Sequence, residues 1–147
     1  MLRVVIDTNL VVSGTAKSDS IPYYLLESWR KKEFLLIISF PILSEIKEVL
    51  ERKELQTHFF LKLEDIQEMI QAVSSQTVIT PGTLEVDIVR ADPDDNKFIA
   101  AAIEGNASYI ISGDRHLLDI EEYEGIKIMK ARNFLVEVLH KDIRSLR

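Results

Sequence analysis

The sequence predicts an α/β protein, a parallel sheet covered by helices on both faces. Three observations carry that prediction. Short apolar runs, above all residues 2–6 and 34–38, show no alternation of apolar and polar positions, as expected of strands buried on both faces. Segments of helical periodicity separate such runs along the whole chain, with no repeats, linkers or low-complexity blocks, which is the pattern of strand–helix–strand units. The 147 residues, 46% hydrophobic and 29% charged, suit a single domain over residues 1–147 with one full core.

The first strand, residues 2–6, has four apolar residues of five, three of them β-branched, and runs directly into Asp7. Residues 10–19 are small and polar, with Ser13, Gly14 and Ser18, and read as a loop. Ser20 is then a good N-cap and Pro22 belongs in a first helical turn. Tyr23, Leu25, Leu26 and Trp29 give that helix its apolar face, and Arg30, Lys31 and Lys32 suit its C-terminal dipole. After the strand at 34–38, Ser39 and Pro41 open a helix in which Ile42, Leu43, Ile46, Val49 and Leu50 share one face. Residues 51–75 read as more helix with a break near His58. Residues 77–80 form a short strand ended by Pro81 and Gly82, and 83–91 a loop with a short extended piece. Asp92 opens the next helix and Gly105 and Asn106 end it. Residues 108–112 and 126–129 are strands, 131–140 a final helix, and 141–147 a basic tail.

Composition narrows the function. No run approaches the roughly 18 apolar residues of a membrane span, and nothing at the N-terminus has the layout of a signal peptide. The absence of cysteine excludes disulfides and zinc–thiolate sites. A cytoplasmic protein without a membrane partner is the expectation. A net charge of −6 argues against a broad basic surface for nucleic acid, but not against a nuclease whose acidic cleft holds cations.

The carboxylates are the candidate chemistry. Asp7 closes the first strand and Asp114 follows the strand at 108–112. If those strands are neighbours where the strand order reverses, both carboxylates enter one crevice. Each is also an ordinary turn residue. Glu45 lies in the early turns of its helix with Val49 rather than a cation four residues on. Asp92, Asp94 and Asp95 suit a helix start, Asp92 as the cap. Yet three carboxylates in four residues exceed what a cap needs, and they repel unless a cation is shared. Carboxylates converging without cysteine or clustered histidine suit Mg²⁺ or Mn²⁺. With no phosphate loop, Gly-x-Ser-x-Gly or nucleotide fingerprint, metal-assisted attack on a phosphate ester is the chemistry left.

Four pieces in order then carry a resemblance: residues 5–9 (Val-Ile-Asp-Thr-Asn), 39–45 (Ser-Phe-Pro-Ile-Leu-Ser-Glu), 92–96 (Asp-Pro-Asp-Asp-Asn) through Ala102, and 112–118 (Ser-Gly-Asp-Arg-His-Leu-Leu). The chain resembles the PIN-domain ribonucleases, in particular the toxin-like branch of prokaryotic toxin–antitoxin systems. The resemblance implies a five-stranded parallel sheet in the order 3-2-1-4-5. It also implies an acidic quartet of Asp7, Glu45, Asp95 and Asp114 that binds Mg²⁺ or Mn²⁺. Asn9 and Ser112 are similar to the family's supporting polar residues, and Asp94 shares the supporting role. The implied activity is endonucleolytic RNA hydrolysis leaving a 5′-phosphate and a 3′-hydroxyl. Lys97, Arg90 and Arg115 stand near the motifs as phosphate contacts or as plain surface charge. A homodimer and a small antitoxin partner are implied too. The alternative is a catalytically silent PIN-like scaffold for RNA or protein. An aspartyl-nucleophile phosphatase would want aspartate where Asn9 stands, and a receiver domain an aspartate after its third strand, where Pro81 and Gly82 stand.

Overall fold

Among the residues described by the computed structural model, 1–142 and 144, six strands make one sheet. They are β1 (Arg3–Ile6), β2 (Leu35–Ser39), β3 (Val78–Thr80), β4 (Tyr109–Ile111), β5 (Glu122–Tyr123) and β6 (Ile126–Met129), in the order β3-β2-β1-β4-β6-β5. The first five in that order pair parallel, and β5 pairs antiparallel with β6 at the edge. The parallel part has the expected 3-2-1-4-5 order, with β6 as its fifth strand. The expected strand number is corrected by β5. The turn between β5 and β6 is Glu124–Gly125, both at positive φ (48° and 83°), the conformation a tight hairpin demands. Glutamate is a poor residue for that conformation, which is why the turn carries no signal in the sequence.

The central strand is β1, between β2 and β4. Its register sets Val4 beside Leu36 and Tyr109, and Ile6 beside Ile111. Val4, Val5 and Ile6 are successive and all buried, so both faces of the sheet are covered there. The helices are α1 (Thr8–Thr15), α2 (Ile21–Arg30), α3 (Phe40–Leu50), α4 (Lys53–His58), α5 (Leu63–Ser75), α6 (Asn96–Glu104), α7 (Arg115–Leu118) and α8 (Ala131–Asn133). The run Ala100, Ala101 and Ala102 is buried and lets α6 lie close on β1, β2 and β4. Trp29 Nε1 donates to Gln76 O at 3.0 Å and ties α2 to the end of α5.

Three further readings are corrected. The loop expected at 10–19 is largely helix α1. Asp7 caps it, Val11 and Val12 are buried, and Thr15 Oγ1 bonds back to Val11 O at 2.7 Å. Gly14 is there for proximity, since a Cβ would stand 2.6 Å from Pro22 O and 2.7 Å from Leu26 Cδ1 on α2. The final helix at 131–140 becomes a π-helical turn, Phe134–Val138, after its first residues. The wider turn seats Phe134 and Leu135 in the core, with Phe134 edge-on to Phe34 at 5.4 Å. Asp92 stands at the N-cap position of a 3₁₀ turn (Pro93–Asp95), but its side chain makes no capping bond. The helix break expected near His58 falls between α4 and α5, with Phe60 at φ 54°. Of the expected basic tail, residues 143 and 145–147 lie outside the described residues.

Candidate metal centre

The site stands at the carboxyl ends of β1 and β4, where the strand order reverses. Ile6 pairs with Ile111, so the residues that follow, Asp7 and Ser112, are brought side by side. Asp7 N donates to Ile111 O at 3.0 Å. One oxygen of Asp7 accepts from Leu10 N at 2.9 Å and caps α1; the other accepts from Ser112 Oγ and from Gly113 N. Ser112 Oγ in turn accepts from Asp114 N at 2.9 Å, and Asp114 caps α7 by accepting from His116 N at 2.7 Å. Ser112 is wholly buried, and its hydroxyl links the Asp7 carboxylate to the Asp114 backbone.

The remaining acids come from two other elements. Ser39 ends β2 and caps α3 through Ile42 N, which sets Glu45 on the second turn of α3. Asn96 at the start of α6 accepts from Ile88 N and Val89 N at 2.9 and 2.8 Å. That clamp fixes the approach of the 92–95 segment.

These elements enclose a cavity of about 180 Å³. Asp7, Asn9, Glu45, Asp94, Asp95 and Asp114 all line it, with Asp92, Thr8 and Phe98. A larger hollow of about 660 Å³ lies between Lys17 at the end of α1 and the 58–65 stretch, and none of these carboxylates lines it. Inside the acidic cavity, Asp92, Asp95 and Asp114 each bring one oxygen within 4.8 Å of the others. The sequence places Asp92 at the cap, and the family resemblance places Glu45 with the ligands. Here Asp92 joins the tight set, while Glu45 accepts from Lys97 Nζ, which also donates to Asp94 at 2.6 Å. The surplus of acids in 92–95 was the legible sign of Asp92. Nothing local announces the Lys97 contact with Glu45, which spans 52 residues.

The electrostatics follow from crowding. Asp95 is pushed up to about 7, by burial first, then by the adjoining Asp114 carboxylate, then by Asp92 and Asp7. Burial also pushes Asp7 up, against the bonds from Ser112, Leu10 and Gly113 that pull it down. Burial pushes Lys97 down. Arg90 and Arg115 do not share this environment. They are exposed and pair with Asp87 and Asp119.

The donor set fits a hard divalent cation. It is all carboxylate oxygen, and Asp95 Oδ2 is buried with no hydrogen-bond partner. Ligand oxygens on an octahedral ion with bonds of about 2.1 Å stand roughly 3 to 4.2 Å apart, so the three oxygens need to draw in only slightly. A cation would also lift the repulsion that raises Asp95.

A family model described as PIN domain matches residues 3–116, a span that holds every carboxylate of the cavity. The chain is also 32% identical over 138 residues to "Uncharacterized protein MJ1680" of Methanocaldococcus jannaschii, covering 93% of this chain and 85% of that protein.

Proposed function

The chain belongs to the PIN-domain family, whose members are generally nucleases, and on that premise we propose that it is a metal-dependent endoribonuclease. Asp7, Glu45, Asp95 and Asp114 form its catalytic quartet, with Asn9, Ser112 and Asp94 in support and residues 1–147 as one domain. The observation that carries the metal dependence is Asp95 Oδ2, buried without a partner beside Asp92 and Asp114. Burying a carboxylate oxygen unpaired is costly, and a cation repays that cost.

Asp95 and Asp114 would hold Mg²⁺ or Mn²⁺ with Asp92 beside them, and Asp7 and Glu45 line the same cavity. When bound, such an ion supplies an acidified water and offsets charge on a phosphoryl oxygen. The chain's own groups do the rest. Ser112 holds Asp7 in one orientation, so that carboxylate need not reorganise when substrate arrives. Phe98 and the buried sheet ends wall the cavity on its protein side. Lys97, bonded to Glu45 and Asp94 of the cavity lining, would offer phosphate a positive charge. The RNA itself lies against a protein of net charge −6, so binding is local to this cleft and weakens as salt rises. Among the described residues no helix is long and apolar enough to cross a membrane. The similarity to the toxin-like branch adds a homodimer and a small antitoxin partner to this reading.

The test is cleavage of a mixed-sequence RNA in Mn²⁺ by the wild-type chain beside Asp7→Asn, after any co-purified partner is removed. Cleavage by the wild type alone is expected. If neither protein cuts and neither binds Mn²⁺, the chain is a scaffold for RNA or protein and the nuclease reading fails.

A further inference from the structure

The cavity's carboxylates fall into two groups. Asp92, Asp95 and Asp114 form the tight three-oxygen set, and Asp95 Oδ2 within it is buried and unpartnered. Asp7 is already spoken for: Leu10 N bonds one oxygen, and Ser112 Oγ and Gly113 N the other. Glu45 and Asp94 remain, and both face a cation that the chain itself supplies, the Lys97 ammonium. Lys97 is not a passing surface lysine. Its side chain is 16% exposed, its Nζ lies 5.4 Å from the centroid of the Phe98 ring, and Glu45 reaches it from a different helix. An ammonium is a compact point charge with three donors, able to bridge two carboxylates as a small metal ion does.

In two-ion phosphodiester sites the ions stand about 3.5–4 Å apart, and the second ion needs carboxylates of its own. Here those carboxylates are the pair that Lys97 neutralises. We propose that Lys97 occupies the place of a second metal ion. The centre then takes one divalent cation per chain, on Asp92, Asp95 and Asp114, and the Lys97 ammonium between Glu45 and Asp94 supplies the second positive charge for the phosphate. This rests on the metal-dependent reading above, but it concerns the ion count, which is measured without RNA.

The experiment is a Mn²⁺ titration of the full chain by calorimetry and electron paramagnetic resonance, at neutral pH. The wild type is expected to take one tight ion with an uncoupled six-line spectrum. Lys97→Met keeps the apolar stem and removes the charge; it is expected to take two, with the spectrum broadened by exchange between neighbouring ions. Adding Glu45→Gln to Lys97→Met should return the count to one, and Lys97→Arg should keep it at one. Thermal unfolding in chelator checks that each variant folds, and Lys97→Gln serves if Lys97→Met does not. Two coupled ions in the wild type would overturn the proposal, as would one ion in a folded, uncharged Lys97 variant. No tight ion in the wild type would overturn the metal-dependent reading itself, a result distinct from either.

Discussion

Replacing Asp95 by asparagine should stabilise the metal-free protein, and by an amount that depends on pH. In the folded chain this carboxyl is held up to about 7; in the unfolded chain it returns to its ordinary 3.8. The folded state therefore binds the proton more tightly, and ionisation works against folding. The cost is small near pH 4, grows as pH rises, and is complete above about pH 7. At 1.36 kcal/mol per pH unit the gap between the two values corresponds to about 4 kcal/mol. The cavity opens to water, whose screening brings the figure to about 2 kcal/mol. Asparagine keeps the shape and never ionises, so Asp95→Asn should gain about 2 kcal/mol at pH 8 and under about 0.5 kcal/mol at pH 4. For a chain of this size each kcal/mol moves the midpoint by roughly 2–4 °C, so thermal unfolding in chelator at pH 4, 6 and 8 reads it directly. Mn²⁺ then narrows or inverts the ranking. At a hundredfold excess over Kd a ligand adds about 2.7 kcal/mol to the protein that binds it, and the variant has lost a ligand oxygen. A pH-independent offset, or equal gains from Mn²⁺ in both proteins, would show that Asp95 is neither strained by its neighbours nor a ligand of the ion.

Two substitutions test the frame around the carboxylates. Ser112→Ala removes the buried hydroxyl that donates to Asp7 and accepts from Asp114 N; leaving those groups short of a partner should cost about 1–3 kcal/mol. An unchanged urea midpoint in chelator would show that Asp7 is oriented by something else. Gly14→Ala gives α1 a better helix former by about 1 kcal/mol, yet its Cβ would meet the Pro22 carbonyl at 2.6 Å. A backbone wall cannot rotate away, so a net loss of about 1–3 kcal/mol is expected, and a stabilised variant would refute the close approach of α1 to α2.

The central strands are legible because burial on both faces keeps Val4–Ile6 of β1 and Leu36–Ile38 of β2 apolar without a break. Helix α1 is not, because its polar residues serve the helix rather than break it. Thr15 bonds back to a carbonyl and Gly14 admits a neighbour, but in a linear reading both look like loop chemistry. The edge strand β5 has two residues, one of them exposed glutamate, and no periodicity fits in two residues. At the site, local pattern singles out Asp7, Asp95 and Asp114, which stand just past a strand or at a helix start, while Glu45, on the second turn of α3, has only the want of a cation four residues on to mark it. The grouping was hidden. Whether Asp92 caps or joins the cluster depends on a backbone turn, at φ −144°, and whether Glu45 faces an ion or Lys97 depends on two helices meeting across the sheet.

That difficulty has a physical source, because capping and clustering are not rivals here. Asp7 and Asp114 each cap a helix with one oxygen, bonding Leu10 N and His116 N. A carboxylate has two oxygens, each with two lone pairs, so the cap leaves Asp114 acceptor capacity for a ligand, while the second Asp7 oxygen is held by Ser112 Oγ and Gly113 N. What the cap removes is rotation: the side chain is pinned at the end of a buried strand before any ligand arrives. The N-terminal ends of α1 and α7 also favour negative charge, which offsets part of the repulsion among carboxylates so close. Asp95 is the exception, since it heads α6 without a capping bond. It also has the buried, unpartnered oxygen and the carboxyl raised to about 7. The pinned aspartates thus frame a position at which the unpinned one has nothing to bond, and there the proposed divalent cation would sit, beside Asp92, Asp95 and Asp114.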